Sequence, residues 1–394
     1  MMVKRQARRG FPSVSTPAFL YDENSILSSI GFLHRIKQRT GCKLLFSLKS
    51  FAVKDALRLM TDRVDGFAVS SLFEAMLARE LINHNGTLHI TTGGLGPADV
   101  AEIIRTCDYI TLNSLSQWGR FRNRFSECVH CGLRINPHLS MVRDDRYDPC
   151  RKHSKLGIPL DSLIEAFRNE SSWLAGINGL HFHTNSDSSD FSQLLRTVEH
   201  IDASLSDLLS RLSWINLGGG YIFDEAKSLD PFYEAVDLLR SKYGLEVFIE
   251  PGASIVRKAG YLVSTVLDLF NSDGKEIAIL DTTVNHMPEV FEYQFRPDVV
   301  GHVDGAAYQY ILAGCSCLAG DLFGEYSFEE PLEVGSRVVF SDAGAYTLAK
   351  AHMFNGINLP TIYALKENGE LEMKKRFTYE DFANRCGVDT NVFV

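Results

Sequence analysis

Chemistry in this chain can be built from a lysine that ends an apolar run, a carboxylate ahead of Pro-Gly, and three consecutive glycines. Lys49 closes the stretch KLLFSLKS at 43–50. An amine held among apolar walls has reason to lose its proton and act as a nucleophile, and the plain alternative is a lysine snorkelling to solvent from a strand end. Gly218, Gly219 and Gly220 follow the run WINL. Their amides can approach an anion closely, as phosphate cradles require, although a tight turn would use the same residues. Glu250 opens the motif EPG. His183 stands two residues after His181 and shares its direction on a regular strand; its flat ring could stack on a planar ligand or simply fill the core. The loop GCSCLAGD at 314–321 gathers Cys315, Cys317 and Asp321 between glycines. Buried thiols are commonly inert, but one held beside an electron-rich carbon can donate a proton.

A lysine, a phosphate cradle and a carboxylate together suggest pyridoxal phosphate. Lys49 would condense with the aldehyde, the glycines would hold the phosphate, and Glu250 would stay ionised against the ring nitrogen. A zinc site built from Cys128, Cys131, Cys150 and His153 fits the ligand spacing only superficially. Cys131 leads straight into the apolar strand CGLRINP and nothing nearby resembles a zinc knuckle, so no metal is expected.

These groups need a scaffold that brings strand ends together. The run at 43–48 is apolar without alternation, the habit of a parallel strand buried on both faces. Similar runs follow at 66–71, 88–93, 109–114, 131–137, 179–184, 214–220 and 246–252. Helical patterns at 24–40, 72–82, 97–106, 191–211 and 231–243 fall before or between them, with Ile26, Ile30, Leu33 and Ile36 on one face of the first. Eight such units predict an α/β fold, a (β/α)8 TIM-type barrel, with a doubly wound sheet as the alternative. Each run ends in a polar residue or glycine: Lys49, Ser71, Asn113, Arg134 with Asn136, His183, Gly218–Gly220 and Glu250. Together they predict a polar mouth. Beyond Gly252 the strands at 260–269, 276–281, 308–313 and 337–340 have few helical patterns between them, which predicts a C-terminal mainly β domain. The expected organisation is a disordered leader at 1–16, a strand at 17–23 that joins the β domain, the barrel at 24–255 and the β domain at 256–394.

At 394 residues, 45% hydrophobic and 23% charged, the chain reads as globular rather than disordered. A net charge of −9 disfavours nucleic acid and anionic membranes and suits a polycationic small-molecule substrate. The basic N-terminus lacks an apolar segment long enough for a signal peptide or membrane span. Eight irregularly spaced cysteines do not form a secreted disulfide framework, and a cytoplasmic location is expected.

Lys49, HFH at 181–183, GGG at 218–220, EPG at 250–252, GCSCLAGD at 314–321, and DAGAYT with FNG between 342 and 356 resemble the fold type III pyridoxal-phosphate decarboxylases, which have an alanine racemase-like fold. This is the ornithine and diaminopimelate decarboxylase superfamily. NSLSQW at 113–118, LRINP at 133–137, YDPC at 147–150, SKLG at 154–157, HMPEV at 286–290 and CLAGD at 317–321 are most similar to its carboxynorspermidine (carboxyspermidine) decarboxylases. The resemblance implies that Lys49 binds the cofactor aldehyde, His183 stacks on the ring, Glu250 pairs with the ring nitrogen and Arg134 sits near Glu250. It further implies that Gly219, Gly220 and Tyr346 bind the phosphate, with Gly252 also at the cofactor. Cys317 would reach into the partner's site in a homodimer with shared active sites and return the proton after CO2 leaves, with Asp321 near the distal amine. Asn185, Ser186 and Asp187 stand where the family usually reads close to LCE, and are expected to bind substrate. Ala253 stands where relatives often carry a charge. The implied activity is decarboxylation of carboxynorspermidine or carboxyspermidine to norspermidine or spermidine in polyamine biosynthesis. The alternatives are a decarboxylase of another basic amino-acid derivative, a racemase, or a non-catalytic regulatory homologue.

Overall fold

The structure is a computed structural model that describes residues 11, 13–82, 86–125, 129–169 and 174–387. Contacts divide the chain into two compact units, Ser28–Ile255 and the combination of Met1–Leu27 with Val256–Val394.

Strand β1 (Ala18–Asp22) belongs to the second of these. The first holds β2 (Lys43–Ser47), β3 (Gly66–Val69), β4 (Thr87–Thr91), β5 (Tyr109–Leu112), β6 (His130–Asn136), the short β7 (Ile158–Pro159), β8 (Ile177–His181), β9 (Trp214–Asn216) and β10 (Glu246–Ile249). All pair in parallel, in the order β5-β4-β3-β2-β10-β9-β8-β6-β7, and a further β5–β6 pairing closes the ring with β7 outside it. The result is the eight-stranded barrel that the runs predict, and closure excludes the doubly wound alternative. Helices Lys54–Met60, Leu72–Arg79, Val100–Thr106, Leu115–Phe121, Leu160–Asn169, Ser192–Leu209 and Asp230–Tyr243 fill the crossovers, as parallel strands require. The helix Glu23–Thr40 buries Ile26, Ile30, Leu33 and Ile36, the face its periodicity marks.

Inside the barrel, Leu45, Ala68, Tyr109, Trp214 and Phe248 form one cluster. The Trp214 indole fits only because two neighbours lack side chains: a Cβ on Gly132 or Gly179 would lie 2.4 or 1.9 Å from it.

In the other unit, β11 (Gly260–Ser272), β12 (Lys275–Leu280), β13 (Tyr308–Ala313), β14 (Leu322–Phe328), β15 (Arg337–Phe340), β16 (Thr361–Leu365) and β17 (Leu371–Lys375) form a mixed sheet. Its order is β14-β13-β12-β11-β1-β16-β17, with β15 on β11. The N-terminal strand β1 runs antiparallel to β11 and parallel to β16.

The expected leader needs correction. Phe11 and Val14 are 1% and 2% exposed, in a cluster with Tyr261, Val263, Val339 and Tyr363. Apolar side chains next to a sheet face bury against it whatever the polarity of their neighbours. Residues 1–10 and 12 lie outside the described residues.

Candidate functional site

The C-terminal ends of the barrel strands surround a cavity of about 450 Å³, the size of a small-ligand pocket. Lys49, Arg134, His181, His183 and Glu250 all line it. Lys49 lies just past β2, on the 3-10 turn Leu48–Ser50, rather than on the strand. Ser50 Oγ donates to the Ser47 carbonyl at 2.7 Å and Ser47 N–H donates to the Pro251 carbonyl at 3.2 Å, which ties this turn to the EPG segment. Gly252 is small for the same reason: a Cβ there would lie 2.9 Å from Ser50 Oγ.

Lys49 is accessible through the open cavity, yet the surrounding protein withholds enough water to depress its ammonium; Glu250 opposes that effect and Arg134 adds to it. Glu250 is 6% exposed, and burial pushes its carboxyl up against the pull of Lys49, Asn216 and Arg134. His183 is held well below the usual imidazole range by burial, then by Lys49 and Arg134, so its ring is neutral. Arg134 feels the same burial and is countered by Glu250.

Backbone approach forces the triple glycine. A Cβ on Gly220 (φ +84°) would lie 1.9 Å from the Asn185 carbonyl oxygen, and one on Gly219 would lie 2.4 Å from that of Glu250. The Gly219 amide donates to His183 Nδ1 at 3.1 Å, which fixes the ring. The Gly218 amide donates to Asn216 Oδ1 at 2.9 Å, so Asn216 Nδ2 is turned to donate to Glu250 Oε1 at 2.8 Å. Sequence reasoning misses Asn216. Its signal is an amide at a buried position of the otherwise apolar WIN strand.

Other strand-end residues are structural. Ser71 caps a helix by accepting from Glu74 N–H at 3.2 Å. Asn113 stitches a loop, donating to the Lys155 carbonyl and accepting from Gly157 N–H, both at 2.8 Å. Asn136 accepts from His138 N–H at 2.9 Å. In the loop expected to bind substrate, Asn185 spends its amide on Gln193 Oε1 and Tyr221 OH, Ser186 lines the cavity, and Asp187 is exposed at φ +49°. Arg146, Tyr147, Arg151, Ser154 and Lys155 also line the cavity, from the segment between β6 and β7. Sequence reasoning quotes YDPC and SKLG from this segment for their resemblance but assigns none of these residues a place at the site, because a loop carries no periodicity to mark what it covers. Cys128 of the zinc alternative lies outside the described residues, and among those described no cluster of metal-ligating side chains forms.

In the sheet unit, Cys317 is exposed and its N–H donates to Asn355 Oδ1 at 2.9 Å. Cys315 is half-buried, and burial and the Asp321 carboxylate push its thiol up. Asp321 departs from expectation. It is 3% exposed, and it accepts from Val284 N–H at 2.7 Å, Ser316 N–H at 3.0 Å and the Ser316 hydroxyl. The carboxylate ties its own loop, through Ser316, to the segment at Val284, so it anchors that loop rather than facing an amine. Gly314 exists to admit it, since a Cβ would lie 2.2 Å from Asp321 Oδ1. Tyr346 is half-buried at φ +59°.

The cavity fits pyridoxal phosphate on its own features. It has an amine whose proton is loosened, a buried carboxylate anchored through one of its two oxygens and a neutral ring held by its Nδ1, and the close-packed glycine turn 218–220 lies against its lining residues His183, Asn185 and Glu250.

The family model for pyridoxal-dependent decarboxylases (C-terminal sheet domain) matches residues 18–344. The chain is 34% identical to carboxyaminopropylagmatine decarboxylase of Synechocystis sp., covering 95% of this chain and 96% of that protein. It is 32% identical to carboxynorspermidine/carboxyspermidine decarboxylase of Herminiimonas arsenicoxydans, covering 94% and 99%. Among solved structures, carboxynorspermidine decarboxylase from Campylobacter jejuni, complexed with norspermidine, superposes with a TM-score of 0.84 at 29% identity, over 94% of this chain and 100% of that one. A likeness running through barrel and sheet alike, added to a cavity that already asks for this cofactor, means that the chain belongs to the pyridoxal-dependent decarboxylase family and is a carboxy-lyase that uses pyridoxal phosphate.

Proposed function

We propose that the protein decarboxylates a carboxylated polyamine, carboxynorspermidine or carboxyspermidine, as a step of polyamine biosynthesis in the cytoplasm. The observation that carries this reading is identity of 30–32% to carboxynorspermidine/carboxyspermidine decarboxylases over 94–95% of the chain. When bound, pyridoxal phosphate supplies an electron sink for the bond to the departing carboxylate. Lys49 presents the amine that would hold the cofactor and then yield that place to the amine of the substrate. His183 would stack on the ring face, with its orientation kept by the Gly219 amide. Glu250, braced by Asn216, would pair with the ring nitrogen. Arg134 offsets the buried charge of Glu250. Gly219, Gly220 and Gly252 give the phosphate close backbone contact, and Tyr346 joins them on the strength of the resemblance alone.

The cavity holds the cations Lys49, Arg134, Arg146, Arg151 and Lys155 against the carboxylates of Asp148 and Glu250. That balance suits a phosphate and a substrate carboxylate. A distal ammonium needs an acid at the rim, a part that falls to Asp187 with Ser186 and Asn185 beside it. The proton that replaces CO2 comes from the partner subunit's Cys317 in a homodimer. Exposed apolar surface supports an association there: Phe291 and Phe354 are 47% and 42% exposed beside Leu318, around a hollow of about 290 Å³. Among the described residues no helix is long and apolar enough to cross a membrane and the cysteines are free thiols, which supports the location.

The 34% identity to a carboxyaminopropylagmatine decarboxylase favours a second reading, a substrate with the same aminopropyl head but a guanidinium tail. A CO2-release assay across carboxynorspermidine, carboxyspermidine, carboxyaminopropylagmatine, ornithine, lysine, arginine and diaminopimelate separates the two. The first pair is expected to give the highest kcat/KM. A preference for the guanidinium substrate replaces the proposal by the second reading, and a preference for any simple amino acid overturns both.

A further inference from the structure

His181 is 2% exposed at the cavity floor, and both of its ring nitrogens lack a hydrogen-bond partner. A neutral imidazole has one donor and one acceptor to place, and buried polar groups are nearly always satisfied. The groups facing this ring are Arg134 on β6, His183 on its own segment, Lys49 beyond β2, His89 on β4 and Glu250 beyond β10. Burial, with the cations Arg134 and Lys49, keeps the ring neutral. Strand register sets Arg134, His181 and Asn216 side by side on β6, β8 and β9. Asn216 Nδ2 lies 2.8 Å from Glu250 Oε1, and His181 Nε2 lies 3.8 Å from the same oxygen. That is about 1 Å longer than an N–H bond to a carboxylate, a gap that a small turn of the Glu250 side chain closes.

We propose that His181 is a positioning residue for Glu250: its Nε2–H donates to Oε1 beside the Asn216 amide, holding the carboxylate charged with Oε2 turned toward the cofactor's ring nitrogen. The pairing gives the orphaned donor a partner and the buried charge a second hydrogen bond. Without it, burial drives Glu250 toward its protonated form, which cannot pair with a protonated ring. The proposal rests on the cofactor site and is independent of which amine is decarboxylated, so a change of substrate leaves it standing.

The test uses the full-length enzyme loaded with pyridoxal phosphate, as wild type, His181→Leu and His181→Gln. The visible absorbance of the bound cofactor is titrated with pH, and kcat and KM are measured across the same range on the best substrate. In His181→Leu the acid side of both profiles is expected to move up by about one pH unit. Its kcat at neutral pH is expected to fall ~10–100-fold, the usual effect of losing a supporting hydrogen bond behind a working group, with little change in KM. His181→Gln, which keeps an amide donor, recovers most of both. Parallel profiles in all three proteins, or leucine and glutamine equally impaired, overturn the proposal. If His181→Leu does not fold, 15N-histidine NMR of the wild type and of Glu250→Gln decides. A neutral Nε2–H ring whose signal moves in Glu250→Gln supports the pairing, and an Nδ1–H tautomer or an unmoved signal overturns it.

Discussion

The chain carries two glycine-bounded loops at strand ends, 218–220 after β9 and 314–321 after β13, and they use their polar groups in opposite ways. Beside the first, Glu250 has one anchored oxygen, His181 has two unpartnered nitrogens, and Lys49 projects into a cavity with its proton loosened. In the second, Asp321 is consumed by hydrogen bonds from Val284 and Ser316. Sequence composition makes the loops look alike. Unspent hydrogen-bonding capacity separates a group that acts on a ligand from one that holds its own backbone.

The largest test of this contrast is Lys49→Ala, expected to abolish turnover and covalent capture of pyridoxal phosphate, read as loss of the visible absorbance band. In the wild type, capture rises with pH as the amine is freed. Because the Lys49 ammonium is depressed, the midpoint is expected below the ~10.4 of an ordinary lysine; a midpoint at that value would mean that the cavity does not loosen the proton. Next, Cys317→Ala is expected to slow product formation ~10²–10⁴-fold, the scale of losing a general acid, with cofactor affinity unchanged. Equal loss of both would move Cys317 from proton return to cofactor holding.

Gly220→Ala is expected to weaken cofactor binding by ~10-fold or more, because a left-handed non-glycine residue costs ~1–3 kcal/mol and its Cβ would strike the Asn185 oxygen. Isothermal titration with pyridoxal phosphate checks it, and wild-type affinity would make the triple glycine a plain turn. Smallest for the cofactor is Asp321→Ala. It is expected to lower stability by ~1–3 kcal/mol through the amides it leaves unpaired, seen in denaturant melts, while cofactor affinity stays the same. Weakened cofactor binding at constant stability would erase the distinction between the loops.

The barrel was legible because its strands are buried on both faces and so lack polar alternation, which leaves eight apolar runs at βα spacing. Three strands of the sheet were not. In β14 (Leu322–Phe328), Gly324 and Glu325 interrupt the apolar pattern at the sheet's end, and β17 (Leu371–Lys375) is a polar strand at the other end. An edge strand gains its place from backbone pairing, to which side-chain pattern is nearly blind. β16 (Thr361–Leu365) goes unread in the sequence although the shorter run at 337–340 is read.

At the site, the sequence by itself determined which residues could do chemistry, because Lys49, Glu250 and the triple glycine, each with a plain alternative when taken alone, together supply the parts of one cofactor site at the ends of apolar runs. Only the tertiary structure decided which of them meet. Ring closure joins Phe248 of β10 to Lys43 of β2, and that long-range pairing sets Lys49 and Glu250 on one cavity while leaving Ser71, Asn113 and Asn136 to bind backbone. Chain pattern records local burial. Whether a polar group is spent on its own fold or left for a ligand depends on partners far away in sequence.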